Sequence, residues 1–187
     1  MKYFLDLEPA AVEQYVTGLG QSKYRTKQIL KWVYNTRVES FQSCTDLTKE
    51  LRDKLDSEFS LRSLQIKHKK TSLVDSTVRY MFVANDGVEI PAVFMPQENR
   101  NSICLSTQAG CSVGCRFCAS GKVKFVRNLS RGELIEQMFH VEKDSGLKID
   151  SILFMGMGEP LLNYDNIVSM VRLLGDTNYF SYSRRHI

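Results

Sequence analysis

Apolar residues recur every three or four positions through the first sixty residues of the chain. Val12, Tyr15, Val16 and Leu19 follow Pro9 at helical spacing, and Gly18 and Gly20 break the run. A second helix is predicted over about Tyr24–Asn35, with Ile29, Leu30, Trp32, Val33 and Tyr34 as its apolar positions. Leu47, Leu51, Leu55 and Phe59 then repeat at a strict four-residue interval and draw one stripe down a third helix. Short helices of this kind bury their stripes against one another, so residues 1–60 are predicted to form a small helical domain.

The period then changes. Thr77–Val83 is rich in β-formers, Val88-Glu89-Ile90 forms a second run, and Asn85-Asp86-Gly87 between them signals a hairpin. Pro91 and Pro96 predict that the second strand is an edge or an interrupted strand. Residues 61–101 therefore read as a β-rich connecting segment, and Ser102–Thr107 as the next strand. In residues 102–187 strands and helices alternate. Ser130-Arg131-Gly132-Glu133 is a capping box, opening a helix with Leu134, Ile135, Met138, Phe139 and Val141 on its apolar face. Ile152-Leu153-Phe154-Met155 suits a parallel strand buried on both faces. Asp165 is predicted to cap a helix carrying Ile167, Val168, Met170, Val171 and Leu174, with Gly175 as its stop. A further strand is expected to begin at Arg184-Arg185-His186-Ile187. This order predicts an α/β sheet built of βα units.

Composition narrows the class. The chain has 187 residues, 43% hydrophobic and 25% charged, with a net charge of +4, which excludes disorder. Gly 11 and Pro 4 exclude collagen-like sequence. No apolar run approaches the roughly 18 residues of a membrane-spanning helix. Asp6 comes too early for a secretory apolar region, so the expected compartment is the reducing cytoplasm. There, five cysteines argue against a disulfide framework. Cys44 stands alone and reads as a small buried hydrophobe. Cys104, Cys111, Cys115 and Cys118 crowd together and point to metal or redox chemistry.

The densest signal is Cys111-x3-Cys115-x2-Cys118, with Gly110 and Gly114 to let the backbone turn. Soft thiolates select zinc or an iron–sulfur cluster. Structural zinc takes four ligands, and a fourth would have to be Cys104, His140 or His186. A [4Fe–4S] cluster normally takes four cysteines; three would leave one iron open to a cofactor.

This spacing, with Phe117 before the last cysteine, resembles the signature of radical S-adenosylmethionine (SAM) enzymes. That resemblance implies a [4Fe–4S] cluster on Cys111, Cys115 and Cys118, with its open iron chelating SAM and Phe117 near the adenine. One electron from the cluster would then cleave SAM to a 5′-deoxyadenosyl radical. Cys104–Cys111, Gly121-Lys122, Arg127-Asn128-Leu129 and Phe154–Asn163 resemble the RlmN/Cfr family of radical SAM adenine methyltransferases, and Arg25–Trp32 is similar to that family's small helical domain. The resemblance covers nearly the whole chain. It implies methylation of an adenine in 23S rRNA, at C2 in preference to C8, with a tRNA adenine as a further target. It also implies a flavodoxin-type electron donor and no membrane partner. The fold it implies is an incomplete (βα) partial barrel preceded by a small helical domain and a β-hairpin.

By the same resemblance Cys104 is a catalytic cysteine, and Gly158 and Glu159 bind SAM through its amino group. The family's proton-accepting glutamate aligns with Pro91, so Glu89, on the same strand face about 6.6 Å away, is expected in its place. Read without the family, Cys104 is a buried strand residue, Glu159 a helix N-terminal acid and Glu89 a solvated strand residue. Arg116, Lys122, Lys124, Arg127 and Arg131, and the run Lys67-His68-Lys69-Lys70, are expected either to meet RNA phosphates or to form a solvated basic face, with Arg127 read equally as a structural residue. Family members continue further and carry a second, methyl-bearing cysteine. The chain is therefore expected to be a shortened form unable to complete methyl transfer alone. The competing expectation is an RNA- or metal-binding remnant without catalysis.

Overall fold

Pro9 opens the first long helix at its first turn, where a missing N–H leaves no bond unmade. The computed structural model describes residues 2–180 and 182–187. A two-residue strand, β1 (Lys2–Tyr3), precedes that helix, α1 (Pro9–Gly18), whose Val12 and Val16 are fully buried. Leu19, expected on the same stripe, lies past the helix end and is exposed. α2 (Lys23–Leu30) runs into a π-helical turn over Lys31–Thr36, so the helix predicted near 24–35 is present with a widened last turn. α3 (Lys49–Glu58) starts on Thr48, whose hydroxyl accepts from the Leu51 N–H. Leu47, Leu51, Leu55 and Phe59 are all buried, as is Cys44. β2 (Phe59–Ser60) pairs in parallel with β1 and closes the module.

The chain then builds a mixed sheet. β3 (Leu64–Thr71), β4 (Val78–Ala84) and β5 (Glu89–Met95) form an antiparallel meander, and β5 pairs antiparallel with β6 (Ser102–Cys104). The β4–β5 turn at Asn85-Asp86-Gly87 is as predicted, with Gly87 at φ +84°. Two further short strands, β7 (Gln108–Ala109) and β8 (Arg127–Asn128), pair as a separate ribbon. α4 (Arg131–Ser145) then crosses back, and β9 (Ser151–Leu153) joins β6 in parallel, giving the order β3-β4-β5-β6-β9. β6–α4–β9 is thus a βαβ unit. α5 (Tyr164–Leu174) packs beside α4.

Four expectations are corrected. β5 is an interior strand despite Pro91. The Pro91 carbonyl accepts from Ser106 Oγ, so the absent N–H faces the flank beyond Cys104, where the β5–β6 ladder has ended. β9 is an edge strand rather than one buried on both faces: Leu153 is 37% and Met155 78% exposed. Asn163, not Asp165, is the N-cap of α5, and Asp165 lies in the first turn. Residues Arg184–His186 form a 3-10 turn, not a strand. The sheet also gains β3 inside the predicted β-rich segment, where the sequence singles out only a basic patch. Its lysines line an edge, where charge discourages pairing with other chains.

α4 is the spine of the molecule. One side lies on the sheet: the Tyr80 hydroxyl donates to Asp144 at 2.7 Å and His140 Nε2 bonds the Leu64 carbonyl at 2.9 Å. The other side carries the helical module, through Tyr3 and Ser63 on Glu136 and through Arg131 on the Leu5 carbonyl. A single core runs from Phe4 to Leu174. The far face of the sheet carries Arg79, Met81, Val83, Pro91, Val93 and Cys104, none of them fully buried.

Candidate functional site

β6 ends at Cys104, and the chain runs on through Leu105, Ser106 and Thr107 into β7. Because β7 pairs with β8, residues 110–126 form a loop closed at its base. The Val126 N–H donates to the Ala109 carbonyl at 2.8 Å, and the Cys111 N–H to the Val123 carbonyl at 3.2 Å. Gly110 sits at φ +78°, and a Cβ there would lie 2.0 Å from the Lys124 carbonyl oxygen, so the closure requires glycine. Further in, Gly121 lies against the Cys115 backbone, where a Cβ would meet the carbonyl oxygen at 2.9 Å. Cys111, Cys115 and Cys118 are all partly exposed on this loop. The Gly121 N–H donates to the Cys118 carbonyl at 3.1 Å, and the backbone N–H groups of Gly121 and Ser120 near the sulfur hold the Cys118 thiol below the usual range.

Among the described residues no group of three or more His, Cys, Asp or Glu side chains is gathered to hold a metal ion. The three thiols share one loop rather than one point. Their chemistry nonetheless fits an iron–sulfur cluster, in which cysteine thiolates surround a volume of several irons. The loop contains no acid, carries exposed Arg116, Lys122 and Lys124, and aims peptide N–H groups at one of its sulfurs. Such surroundings favour thiolates.

Beside the loop lies the Gly156–Glu159 turn, zipped to the segment that follows β6. The Leu105 N–H donates to the Leu153 carbonyl at 2.8 Å, the Gly156 N–H to the Leu105 carbonyl at 3.0 Å, and the Thr107 N–H to the Met157 carbonyl at 2.9 Å. Gln108 Oε1 accepts from the Glu159 N–H at 2.9 Å, while its Nε2 donates to Asn128 Oδ1 at 2.8 Å. Gln137 reaches from α4 to both the N–H and the carbonyl of Ser106, each at 3.1 Å. Asn163 Nδ2 bridges the Thr107 and Leu129 carbonyls at 2.8 Å. Gly158, at φ +106°, has no room for a side chain: a Cβ would lie 2.6 Å from Gln108 Cβ. The Glu159 carboxylate accepts from the Leu161 N–H at 3.1 Å and caps a 3-10 turn.

The structure therefore brings Gly158 and Glu159 to the base of the three-cysteine loop through Gln108. Cys104 lies on the open sheet face at the end of β6. Burial pushes its thiol up, and a bond from the Met155 N–H opposes that. Phe117 stands 93% exposed. Glu89 shares the face of Cys104 but is not brought to it. Val93 is the residue in register with Cys104, and Glu89 lies four positions along, about 13 Å away. Its carboxylate pairs with Lys67, which holds it below the usual range.

Two of the basic residues expected at RNA are structural. Arg131 is 2% exposed and holds the Leu5 carbonyl and Glu8, and Arg127 lies between Asp86 and Glu133. His140, one possible fourth zinc ligand, is committed to Leu64 and Glu136. A cleft of about 770 Å³ between Tyr34, Arg100, Tyr179 and Tyr182 lies at the opposite ends of β6 and β9, away from every cysteine of the loop. Sequence reasoning missed the positioning roles of Ser106, Gln108, Asn128, Gln137 and Asn163, the amides and hydroxyl that set the site's geometry. All but Gln137 lie in segments that carry the family resemblance, and Ser106-Thr107-Gln108 also places polar residues directly after an apolar strand.

Comparison with known proteins matches the chain over its whole length. Residues 3–61 match the ribosomal RNA large subunit methyltransferase N-terminal domain. A protein of Endomicrobium trichonymphae named "Probable dual-specificity RNA methyltransferase RlmN" is 48% identical over 186 residues, covering 100% of this chain and 53% of the relative. A protein of the same name from Thermotoga maritima is 41% identical over 174 residues, 93% of this chain and 51% of its own length. The crystal structure of a radical SAM methyltransferase from Sphaerobacter thermophilus superposes with a TM-score of 0.90 at 32% identity, covering 100% of this chain and 56% of that one. The chain thus spans about half the length of the relatives it matches. Matched from its first helices through the cysteine loop and the Gly156–Glu159 turn, it belongs to the RlmN family of radical SAM RNA methyltransferases.

Proposed function

We propose that the chain serves the radical SAM-dependent methylation of an adenine in 23S rRNA, at C2 in preference to C8, with a tRNA adenine as a second substrate. The observation that carries this reading is the closure of an acid-free, three-cysteine loop beside the Gly156–Glu159 turn, at the carboxyl ends of β6 and β9. Ligands of α/β sheets bind at those ends. Cys111, Cys115 and Cys118 would hold a [4Fe–4S] cluster. When bound, the cluster and SAM supply one-electron chemistry and a methyl group.

The chain's own groups bind and orient. Glu159, fixed by its N–H on Gln108, would present a carboxylate to the SAM ammonium, a charge-assisted contact. Gly158 lets backbone approach the cofactor where a side chain would intrude. Phe117 offers an exposed ring to the adenine of SAM. Cys104 is the catalytic thiol, facing the open side of the sheet. Glu89 would accept a proton only after leaving Lys67. β6–α4–β9 would open a partial barrel, and a flavodoxin-type protein in the cytoplasm would deliver the electron.

Anaerobic reconstitution tests this. About four irons per chain with matching sulfide, a spectrum that changes on adding SAM, and loss of iron on changing Cys111, Cys115 or Cys118 to alanine are the expected results. One zinc per chain with no response to SAM would replace this reading by a metal- or RNA-binding remnant.

A further inference from the structure

The sheet register lines up one row of side chains across the open face. Lys70 on β3 is opposite Arg79 on β4, Arg79 is opposite Val93 on β5, Val93 is opposite Cys104 on β6, and Cys104 is opposite Leu153 on β9. Strands about 4.8 Å apart put the Arg79 backbone about 10 Å from that of Cys104, and the Lys70 backbone about 14 Å. Arg79 and Lys70 are both exposed. The residue between Arg79 and the thiol, Val93, is half-buried and forms an apolar floor.

Two like charges directly opposite one another on a sheet repel and cost stability. Here no carboxylate among the described residues relieves that repulsion. Lys67 pairs with Glu89 and Lys69 with Asp144, whereas among the described residues neither Lys70 nor Arg79 has a carboxylate partner. Asp75, in the turn beyond them, accepts from the Thr77 N–H. Among the described strand residues on the open face Glu89 is the acid, and it is engaged by Lys67. Uncompensated positive charge is therefore held at a fixed distance from the Cys104 thiol, across a gap that one nucleotide would bridge.

We propose that Lys70 and Arg79 clamp a phosphodiester of the RNA, on the nucleotide whose base is presented to Cys104. The proposal rests on the RNA-modifying reading above and adds to it the surface that positions the substrate. A bidentate guanidinium suits a phosphate, and Lys70 adds a second charge from the neighbouring strand. Both act by positioning; neither reaches the reacting atoms.

Fluorescence anisotropy of a labelled RNA stem-loop with an adenine in its loop, titrated with the full 187-residue chain over a range of salt, tests the clamp. The double change Lys70→Ala/Arg79→Ala is expected to weaken binding about tenfold. It should also flatten the slope of log affinity against log salt by about 1.4 to 1.8, two phosphate contacts at about 0.7 to 0.9 each. Arg79→Lys should recover most of the slope. Lys49→Ala, the loss of one positive charge on α3, should leave affinity and slope unchanged. An unaltered affinity and slope in the double variant overturns the clamp, as does an equal loss in Lys49→Ala, or an unmodified chain that binds no RNA. Iron analysis of the same samples separates the two readings. Cluster-loaded protein whose RNA affinity ignores Lys70 and Arg79 keeps the radical SAM reading and loses the clamp. RNA binding that depends on both, in a chain that takes up no iron, keeps the phosphate contacts and loses the radical SAM reading.

Discussion

Arg127 lies between two carboxylates that have different work. It meets Glu133 through two parallel bonds of 2.7 and 2.8 Å, and Glu133 in turn caps α4. Its Nε donates to Asp86 at 2.6 Å, in the β4–β5 turn. One guanidinium thus fastens a hairpin turn and a helix start to the base of the cysteine loop. The Arg127 bond holds the Asp86 carboxyl below the usual carboxylate range. A carboxyl depressed in the folded state contributes stability that is whole above its unfolded value, about pH 3.9, and is lost as pH falls through the lower folded value. An NMR titration should place the Asp86 midpoint below the ordinary value, and Arg127→Ala should return it there; an unchanged midpoint would show that the pair does not form in solution. Sequence alone left Arg131 between an RNA contact and a solvated face, and Arg127 between those and a structural role. Their partners stand up to 126 positions away in Arg131's case, at the Leu5 carbonyl, and no local pattern reveals them. Cys44 and Gly110 were legible because burial of a lone thiol and a tight turn are local demands.

At the scale of elements, legibility follows the same division. The capping box of α4 is written within four residues: Ser130 accepts from the Glu133 N–H, and Glu133 accepts from the Ser130 N–H at 2.9 Å. Ser130→Ala should therefore lower unfolding free energy by about 1 kcal/mol, read by urea denaturation, with little change in helix content by circular dichroism. A loss below a few tenths of that would mean that burial of α4 fixes its start without the cap. The position of a strand in its sheet is a different kind of fact. Pro91 pointed to an edge because prolines break ladders, but β5 is central since the ladder on the Pro91 side has already ended. The apolar run after Ile152 pointed to full burial, yet β9 has a neighbour on one side only. β3 escaped notice because its six exposed residues mask the alternation of Leu64 and Ile66. For β5 and β9 the deciding fact is the neighbouring strand or its absence, which no residue of the strand itself reveals.

For the molecule as a whole, the change of periodicity near residue 60 divides the chain on paper, while the core continues across it. What joins the two sides is polar and buried. Glu136 has no exposed surface and accepts from the Ser63 N–H at 2.9 Å, the Ser63 hydroxyl at 3.0 Å and the Tyr3 hydroxyl. Burial, then Glu136 itself, push the Tyr3 phenol well above its usual range, which keeps it a donor. Arg131 and the Arg37–Glu142 pair make further joins along the same helix. Glu133, Glu136, Gln137 and Glu142 give the helix a second buried face, a polar one. The helical module and the sheet should accordingly unfold together. Trp32, the one tryptophan, reports on the module, where its Nε1 donates to Asp46. Its fluorescence in urea should give the same midpoint as hydrogen exchange in β4 and β5. Glu136→Gln, which weakens the charge-assisted bonds from Ser63 and Tyr3, should lower both midpoints equally, by about 1.5–3 kcal/mol of stability. A Trp32 midpoint that stays in place while the sheet midpoint falls would show that the module folds independently of α4.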